Sequence, residues 1–191
     1  MKPFLTFAAI GLALAGSTVI AAPEADARTR ARSVSVQGAN GHGYNRQRSV
    51  TRQPGYRAAS RSLQTNSGRG YSADRSYSRA NGDVQASRSF QANNGRGYAS
   101  SRSVDREPGS VSADRSLQTN SGRGITSSRD ASWGNGSYAG GATHTTNDGT
   151  SWGRSTSVTS NGDGSYSGSV TRTRPDGSTT SASKTVTRTP N

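Results

Sequence analysis

The chain has 191 residues, of which 28% are hydrophobic, and it carries a formal net charge of +13 with 24 Gly and no Cys. An ordinary globular domain has an apolar share of roughly 45–50%, so this composition argues against a conventional packed core. The lack of cysteine excludes disulfide bonds and lipid attachment at a signal-peptide cysteine.

The N-terminus has the pattern of an export signal. A basic start at Met1-Lys2 precedes an apolar or small run over residues 3–20, and Val19-Ile20-Ala21 offers small or branched residues for cleavage. This pattern predicts a secretory signal peptide over residues 1–21, with a membrane anchor and a later cut after Ala27 as alternatives. A flexible leader is predicted over residues 22–32. The mature chain is then secreted to the periplasm or the exterior, and no later stretch is long enough to span a bilayer.

A repeat of 27 residues dominates the rest of the chain. Gln37, Gln64, Gln91 and Gln118 mark it, and the segment RSLQTNSGRG at residues 61–70 recurs unchanged at residues 115–124. A fixed period of this size is typical of repeat architectures, in which each unit stacks on its neighbours. The pattern predicts four repeats over residues 33–141 and degenerate hairpin repeats over residues 142–191.

Each repeat is predicted to hold two strands and two turns. Turn signals such as Pro54-Gly55, Asn81-Gly82 and Gly95-Arg96-Gly97 recur every 13 or 14 residues, and the residues between them alternate with period 2. One face then carries apolar residues and Arg, and the other carries Ser, Thr and Gln. This predicts an all-β antiparallel meander, with a β-solenoid of one coil per repeat as the alternative.

Either architecture leaves little apolar surface to bury. Burial contributes only about 25 cal/mol per Å², against roughly 1–2 kcal/mol of ordering cost per residue. We therefore expect stacking, strand pairing between copies or a bound polyanion to supply stability. The arrangement of alternating strands, with Gln and Gly-x-Gly near the turns, resembles the design of curlin-type fibre subunits. The repeat length, the Asn position and the Arg content all depart from that pattern.

Catalysis and metal binding have weak support in the sequence. His42 and His144 lie in different repeats, and nothing builds a preorganised pocket around either, so we expect no enzyme activity and no cofactor. The turns at Asp148, Asp163 and Asp176 offer one carboxylate each, whereas calcium needs six to eight oxygens. These turns are interpreted as ordinary hairpin connections.

Periodic arginines are the strongest functional signal. Three ladders recur at the 27-residue period: Arg48, Arg75, Arg102 and Arg129; Arg52, Arg79 and Arg106; and Arg61, Arg88 and Arg115. The aromatic residues beside them are Tyr44, Tyr71, Tyr98 and Tyr77. In a meander, residues one repeat apart lie two strands apart, so each ladder repeats about every 9.6 Å.

These ladders predict an anion-binding surface with aromatic stacking. The alternative interpretation is that Arg keeps an edge-rich sheet soluble. We expect an exported structural protein that forms a homo-oligomer or fibre and binds acidic polysaccharide, lipopolysaccharide or extracellular DNA. A soluble periplasmic cationic module that is partly disordered until it meets a polyanion is the second hypothesis.

Overall fold

The computed structural model describes residues 27–187 as one antiparallel sheet of twelve strands, whose order in the sheet is their order in the chain. The strands are β1 Arg28–Gln37, β2 Gly43–Gln53, β3 Tyr56–Thr65, β4 Gly70–Ala80, β5 Asp83–Ala92, β6 Gly97–Glu107, β7 Ser110–Thr119, β8 Gly124–Gly134, β9 Ser137–Thr146, β10 Ser151–Ser160, β11 Ser165–Thr173 and β12 Thr179–Thr187. A short 3₁₀ turn, Ala39–Gly41, lies between β1 and β2.

This topology confirms the predicted antiparallel meander and excludes the solenoid, because each strand pairs antiparallel with the strand before it. The predicted signal peptide lies outside the described residues. The predicted leader extends too far, because residues 28–32 belong to β1 and pair with β2. Arg28, Arg30 and Arg32 alternate there with Thr29 and Ala31 in the same period-2 pattern as the later strands.

The turns fall on two opposite sides of the sheet and have different geometries. On one side, two-residue turns such as Asn81-Gly82 join β4 to β5, and both residues have positive φ (52° and 92°), as a type I′ hairpin turn requires. On the other side, the turn after β3 is longer. The Gly68 N–H donates to the Thr65 carbonyl (3.0 Å), the Thr65 N–H donates to the Arg69 carbonyl (2.7 Å), and Gly68 has φ 80°. This is a three-residue hairpin loop with a glycine bulge.

Asparagines on the bulged side connect each repeat to the previous one. Asn120 Nδ2 donates to Gln91 Oε1 (2.6 Å) and to the Gly95 carbonyl (2.9 Å), and the Asn120 N–H donates to the Gly97 carbonyl (3.0 Å). Equivalent bonds to the preceding repeat's turn are made by Asn66, Asn93 and Asn147. We call this set of four residues the asparagine ladder. It explains why Gln, Asn and Gly recur at the repeat period.

The strand register separates the side chains into two unlike faces. In the β4–β5 pair, Arg75 lies opposite Arg88, Tyr77 opposite Ala86 and Ala73 opposite Phe90, all on one face. Following the register through the sheet puts every Arg and Lys of the strands on this face, which we call the arginine face. The opposite face carries mostly Ser, Thr and Gln, and we call it the hydroxyl face.

Within residues 27–187, neither face of the sheet is covered by a second layer. Val104, on the arginine face, is 4% exposed and is the buried hydrophobic residue among residues 27–187. On the hydroxyl face, side chains of neighbouring strands bond in pairs, as in Ser49–Ser60 (2.8 Å) and Ser101–Ser116 (2.6 Å). The sheet is therefore held by its backbone ladder, its turns and these cross-strand pairs.

Candidate anion-binding surface

A continuous row of arginines crosses the middle of the arginine face from β1 to β8. Its members, one from each strand, are Arg32, Arg48, Arg61, Arg75, Arg88, Arg102, Arg115 and Arg129. We call this set the arginine row. All eight side chains are exposed. At about 4.8 Å between strands, the row extends roughly 34 Å across the sheet.

Two of the predicted ladders, together with Arg32 of β1, form this row. The Arg48 ladder comes from even-numbered strands and the Arg61 ladder from odd-numbered strands, and the register interleaves them. Across the two-residue turns the members are directly opposed, as in Arg75–Arg88 and Arg102–Arg115. Across the three-residue loop between β3 and β4, Arg61 and Arg75 are diagonal neighbours. The charges therefore lie one strand apart, at half the spacing that each ladder has by itself.

The third predicted ladder lies nearer the two-residue turns, and one of its members, Arg106, forms hydrogen bonds with the neighbouring turn and strand. Arg106 Nη1 donates to the Gly82 carbonyl (2.8 Å), and the Arg106 N–H donates to Asp83 Oδ1 (2.8 Å). Arg52 lies opposite Arg57 on β3, and Arg79 lies opposite Val84 on β5. The next position of this ladder is occupied by Trp133, which is 51% exposed.

Acidic side chains are separated from the arginine row by the plane of the sheet. The acids of the strands all lie on the hydroxyl face: Asp74, Asp83, Asp105, Glu107, Asp114 and Asp130. In the β4–β5 pair, for example, Asp74 faces Ser89, whereas the neighbouring Arg75 faces Arg88 on the opposite face. The positive charge of the row is therefore not neutralised by carboxylates of the same face.

The predicted aromatic residues lie on the arginine face beside the row. Tyr71 stacks against Phe90 (ring centroids 5.8 Å apart), and Phe90 stacks against Tyr98 (6.0 Å). The Arg61 guanidinium carbon lies 5.7 Å from the centre of the Tyr71 ring, within the range of a cation–π contact. Tyr71 and Tyr98 thus form part of a cross-strand stack, whose central member, Phe90, was not among the predicted site residues.

Tyr44 and Tyr77 are more exposed than the stacked tyrosines. They are 38% and 42% exposed, and Tyr77 lies opposite Arg57 on one side and Ala86 on the other. Most exposed large apolar side chains of the described chain share this face, including Trp133, Tyr138, Tyr166 and Val186. The arginine face thus combines cationic charge with exposed aromatic and aliphatic surface.

Several other arginines of this face were not predicted as site residues. They are Arg28, Arg30, Arg32, Arg46, Arg57, Arg154 and Arg172. Apart from Arg30 and Arg57, which are one period apart, they do not recur at the 27-residue period, so they belong to none of the three predicted ladders. The period-2 alternation within each strand places them on the same face as the ladders, so the sequence contains the information needed to identify them.

The aspartates of three turns bond within their own turns. Hydrogen bonds from the Thr146 hydroxyl and the Thr150 N–H hold the pKa of the Asp148 carboxyl below its ordinary value. Bonds from the Ser165 hydroxyl and N–H lower the pKa of Asp163, and Ser178 lowers the pKa of Asp176 in the same way. Each carboxylate therefore accepts hydrogen bonds within the turn in which it lies.

The two histidines lie apart from each other and are not grouped with acids. His144 shares a hydrogen bond with the Ser127 hydroxyl (2.7 Å) and stacks on Trp152 (ring centroids 5.4 Å apart). His42 is in the turn between β1 and β2. Within residues 27–187, no set of three or more His, Cys, Asp or Glu side chains is grouped to hold a metal ion.

In the described part of the chain, no helix is long and apolar enough to cross a membrane. No protein-family model matches this sequence, and comparison with curated proteins and with solved structures gave no match.

Proposed function

We propose that this chain is an exported structural repeat protein that assembles into, or coats, an extracellular or envelope matrix and binds anionic polymers. The observation that carries the proposal is the arginine row, which is exposed on a face without strand carboxylates. Guanidinium groups bind carboxylate, sulfate and phosphate in a planar, bidentate geometry, so a row of them suits a polymer with repeated anionic groups.

Electrostatic repulsion within the row supports a polyanionic partner. Two unit charges about 4 Å apart repel by about 1 kcal/mol in water, and opposed like charges on neighbouring strands destabilise a sheet. Arg75 and Arg88 are opposed in this way, and so are Arg102 and Arg115. A bound polyanion replaces this repulsion with attraction, so ligand binding and fold stability are coupled.

The direction of the row defines how the polymer lies. The row runs across the strands, so a linear polyanion follows the sheet from β1 towards β8 and contacts successive strands in turn. Acidic polysaccharide, lipopolysaccharide and extracellular DNA all present the required charges. Exposed Tyr44 and Tyr77 lie beside this path, where a ring can stack on a sugar or a base.

A matched pair of substitutions on β5 tests the proposal. Arg88→Gln and Gln85→Glu each lower the net charge by one unit, but Arg88 lies on the arginine face and Gln85 on the hydroxyl face. We expect Arg88→Gln to weaken binding of a sulfated polysaccharide and of a single-stranded oligonucleotide. It should also reduce the slope of log K against log salt by about one. Gln85→Glu should leave the slope unchanged.

Two results would contradict the proposal. One is binding that does not depend on salt, and the other is an equal loss of affinity in the two variants, which would mean that net charge alone attracts the polymer. Adding Arg75→Gln and Arg102→Gln to Arg88→Gln provides the stronger version of the test. Comparing the two probes then separates a preference for sulfated sugars from a preference for nucleic acid.

A soluble periplasmic module that orders on binding a polyanion is the second candidate. The observation that favours it is the very small core of residues 27–187, in which Val104, at 4% exposure, is the buried hydrophobic residue. Far-UV circular dichroism of dilute protein distinguishes the two candidates. A β spectrum without ligand supports the structural protein, and a coil spectrum that becomes β only with polyanion supports the module.

A further inference from the structure

The two outermost strands of the sheet have open edges. β1 and β12 each pair with one neighbour, so the outer N–H and C=O groups of both have no partner strand within residues 27–187. The strands are long, at ten and nine residues, and neither contains proline. Every residue of β12 is exposed. An open, regular edge of this kind is a template for pairing with another chain.

We propose that β12 of one copy pairs with β1 of the next copy, so that the sheet continues from one molecule to another. The inference rests on the assembly part of the proposed function and specifies its interface. It does not depend on which polyanion binds, because the interface is made by backbone groups at the two edges.

The strand count makes this pairing geometrically simple. Successive strands alternate in direction, so in a sheet of twelve strands β1 and β12 run in opposite directions. A second copy that continues the strand order, with its strands alternating in the same sequence, presents its β1 antiparallel to β12. Its arginine face then lies on the same side as that of the first copy. This contact is heterologous and leaves a free edge at each end, so it propagates into a filament.

Charge favours this arrangement over pairing of two β1 edges. Arg28, Arg30 and Arg32 line the arginine face of β1, so two β1 strands would place like charges against each other. On the same face, β12 carries one cation, Lys184, with neutral residues such as Ala182. Pairing β1 with β12 therefore places the arginines beside a nearly neutral strand.

The hydroxyl face also continues across such a contact. In β12, Ser181 bonds to Thr171 of β11 (2.9 Å), and in β1, Thr29 bonds to Thr51 of β2 (3.1 Å). Both edge strands thus present small hydroxyl residues in the pattern that joins neighbouring strands within the molecule. The same cross-strand pairs can form between copies.

Single cysteines in this cysteine-free chain test the partner strand directly. Ser33→Cys marks the hydroxyl face of β1, and Ser183→Cys marks the hydroxyl face of β12; Ser35→Cys and Ala31→Cys cover neighbouring registers. The full mature chains are oxidised alone and as an equimolar mixture. We expect a disulfide-linked heterodimer in the mixture. Cross-links confined to Ser183→Cys alone would indicate two-fold β12 pairing, and an absence of cross-links in every register would also overturn the inference.

The sign of a charge placed on β12 gives an independent measurement. Ala182 lies on the arginine face of the edge strand, opposite Val170 of β11. We expect Ala182→Glu to lower, and Ala182→Lys to raise, the protein concentration needed for half-assembly by roughly two- to five-fold in light scattering. Without β12 contacts neither change would matter. Two-fold β12 pairing centred on Ser183 would set residue 182 opposite Lys184 of the second copy and give the same signs, so the cysteine cross-links distinguish that case. Circular dichroism verifies folding, and polyanion binding by unassembled protein shows whether the proposed function survives if this interface fails.

Discussion

The side chain of Asn93 donates a hydrogen bond to Gln64 Oε1 at 2.9 Å, across 29 residues of sequence. The same Nδ2 atom donates to the Gly68 carbonyl at 2.9 Å, so one amide group closes the turn of the preceding repeat. Because the bonded groups belong to successive repeats, this contact connects units that otherwise meet through the backbone ladder of β4 and β5.

We expect Asn93→Ala to destabilise the sheet by about 1–2 kcal/mol, since two hydrogen bonds are lost and their acceptors are left to water. Asn94→Ala is the matched control, because Asn94 accepts a bond from the Arg96 N–H within its own turn (3.1 Å). Urea unfolding of the two variants measures the difference. An equal cost would show that the contact between repeats contributes nothing beyond local turn stability.

Gly97 is placed where a side chain would collide with the preceding strand. A Cβ atom there would lie 2.5 Å from the Phe90 carbonyl oxygen and 2.7 Å from Gln91 Oε1. We expect Gly97→Ala to cost about 1–3 kcal/mol through this overpacking. Gly134→Ala is the control, because nothing lies within 4 Å of a Cβ atom at that position. A comparable loss in thermal stability for both variants would contradict the steric argument.

The aromatic stack makes Phe90 a useful probe of cross-strand packing. Leu63 and Leu117 occupy the same position in the neighbouring repeats, so the backbone at this position accepts leucine. Phe90→Leu therefore removes mainly the ring contacts with Tyr71 and Tyr98. Aromatic pairs contribute about 0.5–1.5 kcal/mol each beyond area burial, so we expect a loss of about 1–2 kcal/mol. Chemical denaturation measures the loss, and near-UV circular dichroism should show a weaker tyrosine signal. An unchanged denaturation midpoint would mean that the ring contacts do not stabilise the sheet.

The turn aspartates predict a stability change in acid. Folding lowers the pKa of Asp148, Asp163 and Asp176, so their contribution to stability is complete above the unfolded-state value of about 3.9. It is lost as the pH falls from there through the folded-state values. Unfolding followed between pH 7 and pH 2 should show this loss below about pH 4. Replacing all three by Asn should flatten that part of the profile, and a profile unchanged by the replacement would contradict it.

The meander followed from the sequence because its determinants are local. Turn pairs such as Asn81-Gly82 set strand ends, and the alternation between them sets the two faces. β1 was missed in part because Arg28, Arg30 and Arg32 lack the apolar residues that usually reveal a strand. Residues 28–32 nevertheless form a strand, because they pair with β2.

The arginine row was harder to predict because it depends on lateral register. The Asn81-Gly82 turn places Arg75 and Arg88 at equal distances from its centre, so their opposition could have been derived from that turn type. On the other side, the three-residue loop with its bulge at Gly68 is centred on Ser67, so Arg61 meets Ala73, two residues short of Arg75. A bulge of this kind is set by backbone geometry rather than by the side-chain period, so periodicity alone left the ladders separate.

The 27-residue spacing also makes the protein adjustable in length. Removing residues 66–92 would join Thr65 to Asn93, which begins the same kind of turn as Asn66. Asn93 would then face Gln37, the acceptor now used by Asn66. β6 would pair with β3 in place of β5, and the strands after β6 would keep their faces and partners. Gain or loss of a whole repeat in the gene would thus lengthen or shorten the arginine row by two arginines, and the fold would stay the same.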